Sequence, residues 1–329
     1  MWPMNDRSSG DVVIIGGGFA GLSAGIYLGR SRRRVLVIEW GKSMAVWEPD
    51  VQNYLGFPEG ISGEDLLAKG RAQALKFGVT LVQDNIRHLS KQDDLFQIEG
   101  TKSYRSKCVL LATGLTHLPP DIPGVSDCLG HSVFFCKDCD AFRVQDKRIV
   151  VIGRNNEAVD YALAMLSYSP SVIIATNGND PKWNEVHAAW LEEYQVGIER
   201  QRIVHIEQED GAIQGFIFEQ GHRISADAAF TTRGDVYHTS LAKGIGAALD
   251  DDGQVMVDAC MRTNVAGLYA AGCVTVANCQ MMIAAGQGVT AAQAINRDLF
   301  EDSLRRHALP VRRRPFEEAA CPMPIGEEP

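Results

Sequence analysis

Cys136 and Cys139 stand two residues apart in FFCKDCDAF, with Asp140 directly behind them. A Cys-x-x-Cys pair can hold a metal, form a structural disulfide or carry electrons. Zinc takes four ligands, whereas the chain offers no second Cys-x-x-Cys and no spaced His pair, and His131 is the histidine nearby; no metal is expected. Cross-linking so short a loop contributes little stability. Redox chemistry is therefore the favoured reading. Thiol–disulfide exchange proceeds through a thiolate, so a neighbouring group must accept and return its proton. Asp140 can do this if burial raises its pKa; the alternative is that it caps a helical turn. Lys137, between the cysteines, is placed to stabilise a Cys136 thiolate or to meet a partner.

The other cysteines are Cys108, Cys128, Cys260, Cys273, Cys279 and Cys321, none with such spacing. Mostly reduced thiols with one special pair imply a reducing, cytoplasmic setting. The N-terminal MWPMNDRSSG lacks a signal-peptide pattern, and no apolar run approaches a membrane span. A net charge of −9 over 329 residues gives no general attraction for nucleic acid or an anionic membrane. The length suits two domains.

What must position the cysteines is legible as two copies of one unit. Asp11 to Glu39 reads strand, glycine turn, helix, strand. Gly16, Gly18 and Gly21 form G-x-G-x-x-G: the first turns the chain, the second admits a pyrophosphate, the third lets helix and strand pack. Helix amides then face the phosphates, and Glu39 ends the second strand where a ribose hydroxyl would lie. Ile149 to Thr176 overlays Val12 to Glu39 without a gap. Gly153 falls on Gly16, but Asn155 replaces Gly18, Ala158 replaces Gly21 and Thr176 replaces Glu39. Glu157 adds negative charge beside an anion site. No arginine cluster follows Thr176 to hold a 2′-phosphate. The second unit keeps the scaffold and has lost nucleotide-binding chemistry. CVLLATG, Cys108 to Gly114, and TNVAGLYAAGCV, Thr263 to Val274, read as buried strands ending in glycine turns, and a helix follows from about Gln280. Trp40 and Trp47 are candidates for stacking on an adenine or flavin ring, with ordinary core packing the favoured role for each.

These residues together resemble the low-molecular-weight thioredoxin reductase family: Asp11 to Glu39, Ala112 to Gly114, Cys-x-x-Cys-Asp and T-x-x-x-G-L-Y-A-A-G at Thr263 to Gly272, with Asn53 to Val79 as further support. The resemblance covers roughly Asp11 to Phe300. It implies an α/β fold of two Rossmann-like three-layer domains. Residues 1–118 and 248–300 would form a discontinuous FAD domain, residues 119–247 the inserted NAD(P)H-like domain carrying the cysteines, and 301–329 a tail. Hinges would lie near Pro119 to Pro123 and Lys243 to Ala248. Carried over residue by residue, FAD contacts fall at Gly16, Gly18, Phe19, Ala20, Gly21, Glu39, Met44, Asn53, Ile86, Thr113, Gly272, Cys273, Gln280 and Met281. Cys139 would be the thiol nearer the flavin, Cys136 the one that attacks the substrate, and Asp140 the acid.

Departures from the family shape the functional expectation. Cys273 stands where the family has Asp, and Cys279 where it has Arg before Gln280. The NADPH signature is missing, as in NADPH-independent branches fed by ferredoxin or carrying a second FAD. The resemblance thus implies a homodimeric, FAD-dependent reductase of a thioredoxin-like protein disulfide, with ferredoxin or flavodoxin rather than NADPH as donor. An oxygen-dependent dithiol oxidase and a flavin-bearing redox sensor are the alternatives. The oxidase branch usually has His after the Cys pair, so Asp140 favours reduction. From Glu301 the Pro-, Arg- and Glu-rich composition suggests disorder, or else a tail laying Pro315-Phe316 or the Cys321 region over the flavin.

Overall fold

The computed structural model describes residues 8–41, 43–232 and 234–309. The expected α/β architecture is what forms, organised around two parallel-strand sheets. The first contains β1 (Ser9–Ile15), β2 (Val35–Glu39), β3 (Thr80–Gln83), β4 (His88–Gln92), β5 (Leu95–Glu99) and β6 (Ser103–Leu111) in the order β3-β2-β1-β6-β5-β4. Along β1, Val12 and Ile14 enter one core and Val13 and Ile15 the other. That explains the unbroken apolar run: a strand covered on both faces has no polar side to alternate with. β6 is long enough to pair antiparallel with β5 near its start and parallel with β1 along its length.

A short pair, β7 (Leu115–His117) with β16 (Asp235–Tyr237), lies beside this sheet. Between them the chain builds the second sheet, in the order β11-β10-β9-β15-β8. Its members are β8 (Val133–Phe134), β9 (Ile149–Ile152), β10 (Val172–Ala175), β11 (Gly197–Glu199) and β15 (Ala228–Thr231). β12 (Ile203–Glu209), β13 (Ala212–Phe218) and β14 (Arg223–Ser225) form an antiparallel meander that covers one face. The chain then returns through Leu241, Ala242 and Ala247 to the first sheet's core, and β17 (Leu268–Ala270) joins β6.

The helices follow the same alternation. α1 (Phe19–Arg30) and α2 (Gly63–Lys76) belong to the first sheet. The turn-length α3 (Val125–Cys128) and α4 (Lys137–Asp140) precede α5 (Asn156–Met165) and α6 (Glu185–Glu193) on the second. α7 (Ser240–Gly244) packs near β4, and α8 (Met281–Arg305) closes the described chain. α8 continues past Phe300 into the segment whose composition suggests disorder. Asp302 holds it there, pairing with Lys107 and Arg306, while Arg306 also reaches Asp94. Pro315, Phe316 and Cys321 lie outside the described residues. Among those described, no helix is long and apolar enough to cross a membrane.

α8 is the main neighbour of α1, and the two backbones come close because of glycine. A Cβ built on Gly288 would lie 2.1 Å from the Ala20 carbonyl oxygen. One on Gly286, nearby on the same helix, would meet no atom within 4 Å. Gly288→Ala should therefore force the helices apart and destabilise by about 1–3 kcal/mol, lowering the melting temperature by about 2–4 °C per kcal/mol. Gly286→Ala should instead stabilise by about 0.5–1 kcal/mol, because alanine gives up less backbone freedom in a helix. Thermal unfolding of both variants checks this; equal effects would contradict the close approach.

Candidate active site

One cavity of about 440 Å³ gathers most of the predicted site. Gly16, Gly18, Phe19, Ala20, Glu39, Met44, Asn53, Ile86, Thr113, Gly272, Cys273, Gln280 and Met281 line it, together with Cys136, Cys139 and Asp140. Gly21 is not in the lining. It packs behind the turn, where a Cβ would come within 1.9 Å of the Gly16 carbonyl oxygen. Gly16 itself has φ +118°, and a side chain there would strike Ala112. Gly18, by contrast, faces open space, with only Ser43 Oγ as near as 3.8 Å to an added Cβ. As N-cap of α1 it has no side chain to satisfy the first-turn amides. Bare amides at a helix N-terminus, beside an open glycine, fit the pyrophosphate of a dinucleotide. Glu39 is held by Arg71, whose Nη2 lies 2.9 Å from Oε2.

The second unit fails the same test. Asn155 Oδ1 accepts the Ala158 amide at 3.2 Å, so the residue in Gly18's place caps α5 with its own side chain. Gly153 is packed as tightly as its counterpart Gly16, since a Cβ there would meet Thr232 Oγ1 at 2.2 Å, so the difference lies at Asn155. Thr176 is buried at the end of the sheet. Burial, with Asp235 and Asp160 nearby, raises the pKa of Glu157 against a hydrogen bond from Asn155. Arginines do reach the turn after Thr176: Arg154 Nη1 donates to Asn179 Oδ1 at 3.4 Å, and Arg202 packs against Gly178. Arg154 comes from the glycine turn and Arg202 from beyond β11, not from the segment directly after the strand.

Cys136 and Cys139 form a disulfide, with Cα atoms 5.3 Å apart, that opens on the cavity. Both are half-buried. The Cys139 amide donates to Cys136 Sγ at 3.1 Å, which would favour a thiolate there. Gln280 Nε2 donates to Cys136 Sγ at 3.3 Å and Cys139 Sγ at 3.2 Å, while its Oε1 accepts from Asn53 Nδ2 at 3.2 Å. Gln280 therefore links the sulfurs to Asn53 on a separate stretch of chain. Lys137 turns to Asp138, with Nζ 2.6 Å from Oδ1.

Asp140 is 3% exposed. It makes no side-chain cap, so the capping alternative does not describe it. Its pKa is pushed up to about 7, first by burial and then by Glu48 and Asp50, against the pull of Arg143. Arg143 Nε lies 3.4 Å from Asp140 Oδ1 but makes no hydrogen bond there, and Nη2 is committed to the Asp50 carbonyl. Glu48 is raised too, by burial, with Arg143 and His117 opposing. His117 pairs with Asp235 at 2.5 Å and stacks on Phe135, ring centroids 4.8 Å apart. Glu48, His117, Arg143 and Asp235 are scattered along the chain and form no motif, so sequence reasoning missed them.

Two expectations need correction. Cys273 and Cys279 are not ordinary thiols: they form a second disulfide, Cα atoms 5.0 Å apart, and both line the cavity. The loop between β17 and α8 folds back on itself, through Thr275 Oγ1 donating to the Gly272 carbonyl, and brings them together. Trp40, expected as core packing, is 68% exposed at the cavity's edge because β2 ends one residue earlier. Trp47 contacts Phe135, centroids 6.3 Å apart.

Residues 10–294 match the pyridine nucleotide-disulphide oxidoreductase family, and the chain belongs to it. A curated relative, the thioredoxin reductase of Treponema pallidum (strain Nichols), is 30% identical over 296 residues, covering 86% of this chain and 95% of its own. Thioredoxin reductases of this family are FAD proteins, and the chain is accordingly a flavoprotein disulfide oxidoreductase of thioredoxin reductase-like type. Among solved structures, HlmI is 25% identical with a TM-score of 0.86, over 93% of this chain and 97% of its own. The Lactococcus lactis thioredoxin reductase in its FR conformation is 26% identical over 89% and 99%, yet its TM-score is 0.58.

The raised pKa of Asp140 has a consequence for stability. Its folded value of about 7 exceeds the ordinary 3.8, so the folded chain holds this proton more tightly than the unfolded one. Its contribution is full below the ordinary value and is lost as pH rises to about 7. Asp140→Asn should leave stability nearly unchanged at pH 4 and raise it at pH 8, by at most about 4 kcal/mol. Denaturant unfolding at both pH values measures this; a pH-independent difference would contradict it.

Proposed function

We propose that the chain reduces the disulfide of a thioredoxin-like protein, passing electrons from bound FAD through Cys136 and Cys139, with a donor other than NADPH. The observation that carries this reading is the shared cavity: the uncapped amides of α1 and the Cys136–Cys139 sulfurs line one space, with Gln280 in contact with both sulfurs. The placement of the motifs on two sheets supports it: Gly16 and Gly18 follow β1 of the first, and Cys136 and Cys139 follow β8 of the second. Gly16, Gly18 and the first turn of α1 would hold the pyrophosphate, Glu39 the ribose, and the segment around Gln280 and Met281 the flavin end.

When bound, FAD supplies a two-electron carrier whose reduced form can open the disulfide. The protein's own part is placement and proton handling. Gln280 and the Cys139 amide orient and polarise the sulfurs. Asp140, with a pKa near 7, can hold the proton that a departing thiol must regain. Cys136 is the proposed attacker of the substrate disulfide. In the present arrangement the sulfurs line the inner cavity, so delivery to a protein calls for a rotation of the second sheet's unit against the first.

The donor reading is supported by the capping of α5 by Asn155, the buried Thr176 and the charge of Glu157. Ferredoxin or flavodoxin as donor, and a homodimeric assembly, belong to the same proposal. The test is anaerobic, following the oxidised-flavin absorbance of the holoenzyme. Reduced ferredoxin should bleach it at least about tenfold faster than NADPH at equal reducing equivalents, a difference of about 1.4 kcal/mol in barrier. Rapid bleaching by NADPH would show that the second unit binds it despite Asn155 and Thr176.

A further inference from the structure

We propose that Cys273–Cys279 is a second redox-active disulfide, which exchanges with Cys136–Cys139 and stores two electrons as thiols beside the cofactor cavity. This rests on the reading above, in which Cys136–Cys139 is the pair reduced through the flavin. Four observations point the same way. Both disulfides line one cavity. Gln280, the residue after Cys279, hydrogen-bonds both sulfurs of the first pair, so the backbone next to Cys279 is tied directly to it. Cys279 is exposed and Cys273 half-buried; exposed disulfides are the labile ones, open to attack by a thiolate. Cys279 also sits immediately before the N-cap of the 25-residue α8, whose Gln280 makes no side-chain cap, and a helix N-terminus favours a thiolate as leaving group.

A purely structural staple has little to do here. The loop is already pinned by the Gln254 amide on the Thr275 carbonyl at 2.7 Å and by the Val255 amide on the Val274 carbonyl at 2.8 Å.

The exchange balances without an outside reagent. A thiolate of the reduced Cys136/Cys139 pair attacks Cys279 Sγ, the Cys273–Cys279 bond breaks, and Cys273 leaves as a thiolate that takes a proton. The remaining cysteine of the first pair then attacks its partner's sulfur in the mixed disulfide. Cys136–Cys139 re-forms, and Cys279 leaves and is protonated. Two electrons and two protons have moved from the first pair to the second.

The experiment traps the intermediate. In full-length Cys139→Ser, with flavin bound and oxidised, Cys136 is left as a thiol and its attack on Cys279 needs no added electrons. Acid quench, alkylation and non-reducing peptide mass spectrometry should find Cys136 joined to Cys279 in about a tenth of chains or more. In Cys136→Ser the corresponding product joins Cys139 to Cys279. Absence of both cross-links overturns the proposal.

A wild-type measurement guards against misfolded variants. The holoenzyme is reduced stepwise with dithionite under anaerobic conditions, and the cysteines are alkylated at each step. Cys273 and Cys279 should become alkylated in step with Cys136 and Cys139. If the first pair opens and Cys273–Cys279 stays closed, the second disulfide is structural; the proposal fails and the proposed function stands. If the flavin is reduced and both pairs stay closed, the proposed function fails as well.

Discussion

The site depends on how closely separate stretches of backbone can approach one another around the first glycine turn. Gly16 lies so near Ala112 that a Cβ would fall 2.0 Å from its carbonyl oxygen, Gly21 closes on Gly16, and Gly288 closes on Ala20. These contacts bring β1, β6, α1 and α8 together at the C-terminal ends of the sheet's central strands. They leave the α1 amides and Gly18 facing open space, and they aim the N-terminus of α8, with Gln280, toward the cysteines of the second unit. Side chains at those positions would push the elements apart, and the cavity would lose its floor and its link to the disulfide together.

Around that frame, charge is concentrated where protons must move. Burial raises Asp140 and Glu48, the Glu48 and Asp50 carboxylates add repulsion at Asp140, and Arg143 opposes both shifts. A carboxyl kept protonated near neutral pH beside a disulfide is of use to thiol exchange and a burden to folding. Perturbed carboxyls of this kind are characteristic of working sites. At the second glycine turn Glu157 is raised too, by burial, but there Asn155 caps its own helix and Thr176 is buried at the end of the sheet. The two units share a scaffold and differ in whether their helix amides are free.

Much of this was legible in the residues. The apolar runs at Val12, Val35 and Ile149 announced buried parallel strands, and the glycine spacing announced the turn. Cys-x-x-Cys-Asp announced the redox site, because these signals are local and carry their own physical reason. The cluster of Glu48, His117, Arg143 and Asp235 was not legible, since it assembles from four distant segments. The Cys273–Cys279 disulfide was hidden for a different reason. A spacing of six residues has no standard geometry, and only a loop folded back against Val255 and Gly272 brings the thiols within reach. Trp40 shows the limit of composition, because an aromatic at a strand's end can face solvent as readily as core.

The central claim is that electrons leave the cofactor cavity through Cys136 and Cys139, and one measurement addresses it directly. The holoenzyme is reduced chemically under anaerobic conditions, freed of excess reductant and mixed with oxidised thioredoxin while flavin absorbance is followed. The account predicts that the flavin reoxidises in the wild-type chain and that the Cys136→Ser/Cys139→Ser double variant loses at least about a thousandfold in rate, a barrier increase of about 4 kcal/mol. Reoxidation of the variant at the wild-type rate would mean that electrons take another path and would contradict the account.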